Sequence, residues 1–309
     1  MRMGADRERP AWASLPSRLR SQTIAAIGGD YVSDEPSHGG FSAGYAGLVL
    51  TTSGRAFVKA VPGDGHPDSM LFLRREIDVL TLLPVGVGPH LHAHIDDESG
   101  VAAVLEAIDG RQPGAPWSDA DLQAIARTMR FVTDSSAPRS LRSASDGMGQ
   151  GFARWPSIAA SPSLRAGLPE TLQARMPTLI ALSAELESAI AGDALMHGDL
   201  RADNMLIDGD RAHFLDWPHA SRAAPWTDLP VFLPSVEAAG GPSCERAWEV
   251  FEQHGAPTPS AMLPVIAGTA SFFWFQQSLP EVPQLPGLRA FQRAQAIPAL
   301  RWLSTLLDG

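Results

Sequence analysis

The chain has 309 residues, 44% of them hydrophobic and 19% charged, which places it in the globular range with enough length to bury a large core. A net charge of −10 excludes a protein that works by gripping nucleic acid through a basic face, and a single cysteine, Cys244, excludes an intramolecular disulfide. From Ala191 onward 13 Asp and Glu stand against 7 Arg, an acidity that suits either a cationic ligand or a solvated surface.

In chain order, residues 15–27 have the spacing of a short amphipathic helix, ended by Gly28 and Gly29. A loop of small residues, 38–44, precedes strand-like runs at 45–51 and 55–61 around a tight turn at Ser53 and Gly54. Leu73, Ile77 and Leu80 place a helix over 69–83, and a hairpin is expected across 92–95 and 101–105. After a connector near 106–110 the pattern turns helical: 118–132 opens on a Ser-x-x-Asp cap, 135–163 is expected as a long loop, and 172–190 as one helix. The expected fold is α+β, with an N-terminal lobe (1–106) of antiparallel sheet plus one main helix and a mostly helical C-terminal lobe (107–309). No basic end followed by an apolar run is visible, and the most apolar stretch, 261–275, is too short to span a bilayer, so no membrane association and a cytoplasmic location are expected.

The segment carrying chemistry is His197-Gly198-Asp199-Leu200-Arg201-Ala202-Asp203-Asn204, followed by two short apolar strands around Gly209-Asp210 and then Asp216-Trp217. A hairpin there brings the Asn204 amide oxygen and the Asp216 carboxylate to one end, where hard oxygen ligands suit Mg²⁺. Asp199, on the loop leading into that end, stands where it could take the proton of an attacking hydroxyl. Of the 24 basic side chains only Lys59 is lysine. A position that keeps lysine in an arginine-using chain points to a need for a compact ammonium.

These residues resemble the catalytic loop and metal-binding Asp of the protein-kinase-like superfamily, in the form found in the aminoglycoside phosphotransferase and choline kinase branch. The resemblance takes in the 39–44 glycine loop, Phe57-Val58-Lys59, and Trp226-Thr227-Asp228. It implies Asp199 as catalytic base, Asn204 and Asp216 as Mg²⁺ ligands, and Lys59 on the nucleotide phosphates with Glu76 as its partner. It further implies Gly40, Phe41 and Ser42 folded over the phosphates, Glu106, Ala107 and Ile108 as the interlobe hinge at the adenine edge, and Asp228 anchoring the catalytic loop. ATP is the implied donor, with GTP also open, and a small hydroxyl compound the acceptor.

Several residues keep ordinary readings. His197 is expected to orient the loop by hydrogen bonding; Arg201 either steadies the transferred phosphate or pairs with Asp203. Glu76 could form a surface ion pair beside Arg74 and Arg75, His219 could touch substrate or do nothing, and 272–275 is expected as helix core. Gly198 before Asp199, Trp217-Pro218 after Asp216 and only eleven residues between Asp216 and Asp228 argue against a protein kinase. The acceptor is then an aminoglycoside or other antibiotic, with antibiotic resistance as the consequence, or a metabolite such as a sugar, amino alcohol or amino acid. A regulatory pseudokinase would lack the base, a metal ligand or the lysine, and none is missing.

Overall fold

The computed structural model describes residues 9–37, 44–114, 116–283 and 285–308. Helix α1 (Ser17–Ile27) leads into a five-stranded antiparallel sheet of β1 (Tyr31–Pro36), β2 (Tyr45–Thr51), β3 (Gly54–Pro62), β4 (Leu91–Asp97) and β5 (Gly100–Leu105), in the order β1-β2-β3-β5-β4. Strand β1 was absent from the sequence expectation. It is an edge strand with no buried side chain and a terminal proline, so the alternation that marks a half-buried strand is missing.

Along β3, side chains alternate between the two faces of the sheet. Val58 and Ala60 join Trp12, Leu15 and Leu19 in a small core under α1. Phe57, Lys59 and Val61 point the other way, where Val61 packs with Leu73 and Ile77 of α2 (Pro67–Leu82). The same alternation therefore gives β3 an apolar anchor on one face and an ammonium on the other.

Beyond the connector the chain is mostly helical. Ser118 caps α3 (Asp119–Asp134), its Oγ accepting the Asp121 N–H at 3.1 Å as the capping pattern implies. The segment 135–163 is not a featureless loop. It holds a π-turn (Ser145–Gly149) and the short helices α4 (Gln150–Phe152), α5 (Trp155–Ala160) and α6 (Pro162–Ala166), pinned by buried Met148, Trp155 and Ile158. The helix expected over 172–190 is two, α7 (Glu170–Ala174) and α8 (Met176–Ile190), because Pro177 cannot donate a helical hydrogen bond and so sits in the first turn of a new helix.

Strand β6 (Ala194–Met196) enters the chemistry-bearing loop, β7 (Met205–Asp208) and β8 (Arg211–Phe214) form its hairpin, and β9 (Ser221–Ala223) returns to pair with β6. Helices α9 (Asp228–Ala238), α10 (Cys244–Glu252), α11 (Leu263–Gln276) and α12 (Leu288–Asp308) complete the chain around fully buried Trp155, Trp217, Trp248 and Trp302. Among the described residues no helix is long and apolar enough to cross a membrane. Sheet, connector, loop and C-terminal helices all line one cleft of about 1980 Å³. An ordinary small-molecule site occupies roughly 300–1,000 Å³, so this cleft has room for two substrates side by side.

Candidate active site

Lys59 reaches from β3 into the cleft and meets both oxygens of Glu76, from α2, at 2.7 Å, and Oδ1 of Asp216 at 3.0 Å. Glu76 is buried at 2% exposure, which excludes the surface ion pair; Arg74 makes that pair instead, with Asp96. Burial alone would lower the Lys59 pKa, but the Asp216 and Glu76 carboxylates overcome it and hold the ammonium well above the ordinary lysine range. The charge is thus fixed and aimed into the cleft.

Asp216 lies two residues past β8 at φ 67°, a left-handed conformation that Asp tolerates better than most side chains. It is set there by the hairpin: the Leu215 N–H donates to the Asn204 carbonyl at 2.8 Å, so Asn204 and Asp216 come to the same end. Burial pushes the Asp216 carboxyl up, yet Lys59 and then His197 and Arg201 leave it below the usual carboxylate range.

At the same end, Asn204 Nδ2 donates to the Asp199 backbone oxygen at 2.8 Å and to its Oδ2 at 3.1 Å, while Arg201 Nη1 donates to Asp199 Oδ1 at 3.2 Å. Arg201 also grips Asp203 through Nε at 2.9 Å and Nη2 at 3.0 Å. Burial raises the Asp199 carboxyl to about 6, with Asp216 and Asp203 adding to the rise and Arg201 and Asn204 opposing it. A carboxylate so placed is ionised at neutral pH yet more basic than an ordinary aspartate, as a proton acceptor should be.

The loop itself is held from below. Asp228, at the start of α9, accepts the His197 N–H at 2.7 Å and the Gly198 N–H at 2.8 Å. His197 is fully buried, with Nε2 2.8 Å from the Leu215 carbonyl and Nδ1 accepting the Asp199 N–H at 3.2 Å. A neutral ring protonated on Nε2 satisfies both contacts, and burial lowers its pKa to about 4. Gly198 sits at φ 87°, and a Cβ there would fall 2.6 Å from the His219 carbonyl oxygen. That clash and the backbone angle explain glycine before Asp199.

The remaining expectations divide. Glu106 and Ile108 line the cleft at the connector, with half-buried Ala107 between them, and the Glu106 carboxylate accepts the His90 N–H at 3.2 Å. Gly40, Phe41 and Ser42 lie outside the described residues. His219 lines the cleft and packs its ring on Phe72. Phe272 and Phe273 are not core alone: both line the cleft, and Phe272 stacks on Phe152. The sequence reading missed Phe291, Gln292 and Gln295 of α12, which share that wall. Their spacing is helical, and nothing in a helical repeat separates a cleft-facing stripe from a core-facing one.

Mg²⁺ fits this donor set. Among the described residues no three His, Cys, Asp or Glu side chains cluster as a metal site. Asn204, whose amide nitrogen is spent on Asp199, and Asp216 offer an incomplete oxygen shell, which suits an ion that keeps waters and takes phosphate oxygens.

A sequence model of the phosphotransferase enzyme family matches residues 39–264. No curated protein matches the chain. Among solved structures, choline kinase from Streptococcus pneumoniae is similar with a TM-score of 0.59 at 16% identity, over 92% of this chain and 98% of that one. A putative fructosamine-3-kinase from Thermobifida fusca gives 0.53 at 18%, over 91% and 98%. An aminoglycoside phosphotransferase from Streptomyces rimosus, solved with ADP and streptomycin, gives 0.52 at 20%, over 82% and 96%. At these identities the likeness speaks to the two-lobed, kinase-like α+β fold.

Proposed function

The chain belongs to the phosphotransferase enzyme family, and from that premise we propose that it moves the γ-phosphoryl group of ATP to a hydroxyl of a small molecule. The observation that carries this reading is the meeting of two polar sets in one cleft. Lys59, Glu76 and Asp216 form one, and Asp199, Arg201 and Asn204 the other.

In this reading Lys59 binds the α- and β-phosphates as a fixed positive charge, with Glu76 holding it in place. Glu106 to Ile108 receive the adenine edge. Asn204 and Asp216 would hold Mg²⁺, which when bound supplies positive charge to the phosphate oxygens. Asp199 orients the acceptor hydroxyl and takes its proton, and Asn204 and Arg201 fix the two carboxylate oxygens for that task. His197 stays neutral and positions the loop. Arg201, already paired with Asp199 and Asp203, brings positive charge to the place where the transferred group becomes most anionic. Residues 1–106 and 107–309 then act as nucleotide and acceptor lobes.

The test is acceptor-dependent ADP release by the purified protein with Mg-ATP, screened over hydroxylated antibiotics, sugars, amino alcohols and amino acids. Asp199→Ala should lower turnover by about 10²–10⁴-fold while ATP binding, followed by calorimetry, changes little. Near-normal turnover in that variant would sink the assignment.

A further inference from the structure

We propose, resting on the phosphoryl-transfer reading above, that the acceptor is a neutral hydroxylated compound with a bulky apolar body rather than a polycation. The acidity of the C-terminal half invites the opposite view, but among the described residues it reaches the cleft only through Asp199, Asp203 and Asp216 of the catalytic loop and hairpin. Beyond Asp216 every cleft-lining residue among those described is uncharged, including Phe272, Phe273, Leu285, Leu288 and Phe291. Glu237 and Glu245 are instead taken up by Arg301, and Glu249 by Arg246.

Of the cleft-lining carboxylates, Asp121 and Asp203 are already engaged by arginine, and Asp199 shares the same Arg201. Asp121 is held by two nitrogens of Arg111, at 2.5 and 3.2 Å, and Asp203 by two of Arg201. Arg142 lines the same side and adds positive charge. An ammonium group resting on the Phe272, Leu288 and Phe291 wall would leave water for aromatic and aliphatic carbon with no carboxylate on that wall to meet it.

The wall is also equipped for a neutral ligand. Gln295 is 2% exposed, lines the cleft, and its Nε2 has no hydrogen-bond partner among the described residues. Buried amides are almost always paired, so an unpaired one on a binding wall suits a carbonyl, ether or hydroxyl oxygen of the ligand. Gln292, one turn before it, offers a second amide, with Oε1 already accepting from Arg289 at 2.8 Å. The apolar wall is continuous with the catalytic loop: the Arg201 guanidinium that bonds Asp199 lies 5.6 Å from the centre of the Phe291 ring. A substrate resting on Phe291 therefore lies beside the proposed base.

The full-length protein with Mg-ATP is assayed for ADP release against neutral acceptors (chloramphenicol and a hydroxysteroid) and polycationic ones (streptomycin and kanamycin). The neutral set should give kcat/KM roughly 100-fold above the polycations. Gln295→Leu should raise the KM of the neutral acceptor about tenfold with the KM for ATP unmoved. Faster turnover of the polycations overturns the inference and leaves the phosphotransferase reading standing; failure to bind ATP overturns that reading instead. If neither set is turned over, Nile red decides. The nucleotide-loaded protein should bind this neutral probe, and Phe291→Asp, checked as folded by circular dichroism, should lose it. Absent binding, or equal binding in the variant, overturns the proposal.

Discussion

The two polar sets of the cleft are built in opposite ways. Asp199, Arg201, Asp203 and Asn204 contact one another across at most five positions of sequence, whereas Lys59 spans 17 positions to Glu76 and 157 to Asp216. The first set is a property of one loop clamped by Asp228. The second exists only while sheet, helix α2 and hairpin stand in register with each other. In the proposed reading, chemistry at the acceptor end is thus local, and grip on the nucleotide depends on how the sheet, α2 and the hairpin meet.

The sharpest way to break that comparison is to remove the long-range set. Lys59→Met leaves buried Glu76 without its cationic partner and should destabilise the fold by about 3–5 kcal/mol, read as a drop in denaturant midpoint. Lys59→Arg keeps a charge but not the compact ammonium. It should cut turnover by roughly 100-fold and raise the KM for ATP, with the acceptor KM little changed. Normal kinetics in that variant would remove the argument from the lone lysine.

A smaller effect should come from pH. With the Asp199 carboxyl raised to about 6, the ionised base is present above that value and is lost as pH falls through it. The acid limb of kcat/KM should therefore bend near 6 and fall about tenfold per unit below it. Burial likewise raises Asp228 to about 6, although its contacts with Gly198 and His197 oppose the rise, so a limb steeper than one proton would implicate the anchor as well. A bend near the ordinary aspartate value of about 4 would contradict the assignment.

Local strain should be felt next. Gly198→Ala must hold a positive φ and crowd the His219 carbonyl, at a cost of about 1–3 kcal/mol, and it should depress kcat more than ATP affinity. Smallest is Arg74→Ala, which removes an exposed pair with Asp96 one residue from the cleft-facing stripe of α2 and should leave the denaturant midpoint almost unmoved. A large loss there would mean that α2 is held by its surface as much as by Glu76.

What could be read in the sequence follows the same division. The Asp199–Asn204–Asp216 spacing is legible because loop and hairpin are contiguous, and Gly209-Asp210 marks the turn between them. Lys59 stood out through its rarity, while its Glu76 partner came only from the family resemblance. Strand β1 escaped because its side chains carry no burial signal. The break between α7 and α8 was announced by Pro177 but overridden by the apolar spacing on both sides. The cleft wall formed by the C-terminal helices was not legible at all. Phe272, Phe291 and Gln295 come from two helices, and the packing that turns them into the cleft is tertiary.

Lys59 has one more consequence, for handling the protein. It is the sole side-chain amine in the chain, and its ion pairs keep it protonated and therefore poorly nucleophilic. Surface labelling, resin coupling and amine cross-linking have no other lysine to find. A nucleotide-tethered acylating reagent that does modify this side chain would report on the cleft alone, and a competing ligand that slows the modification could be scored on the unaltered enzyme by the mass of a single peptide.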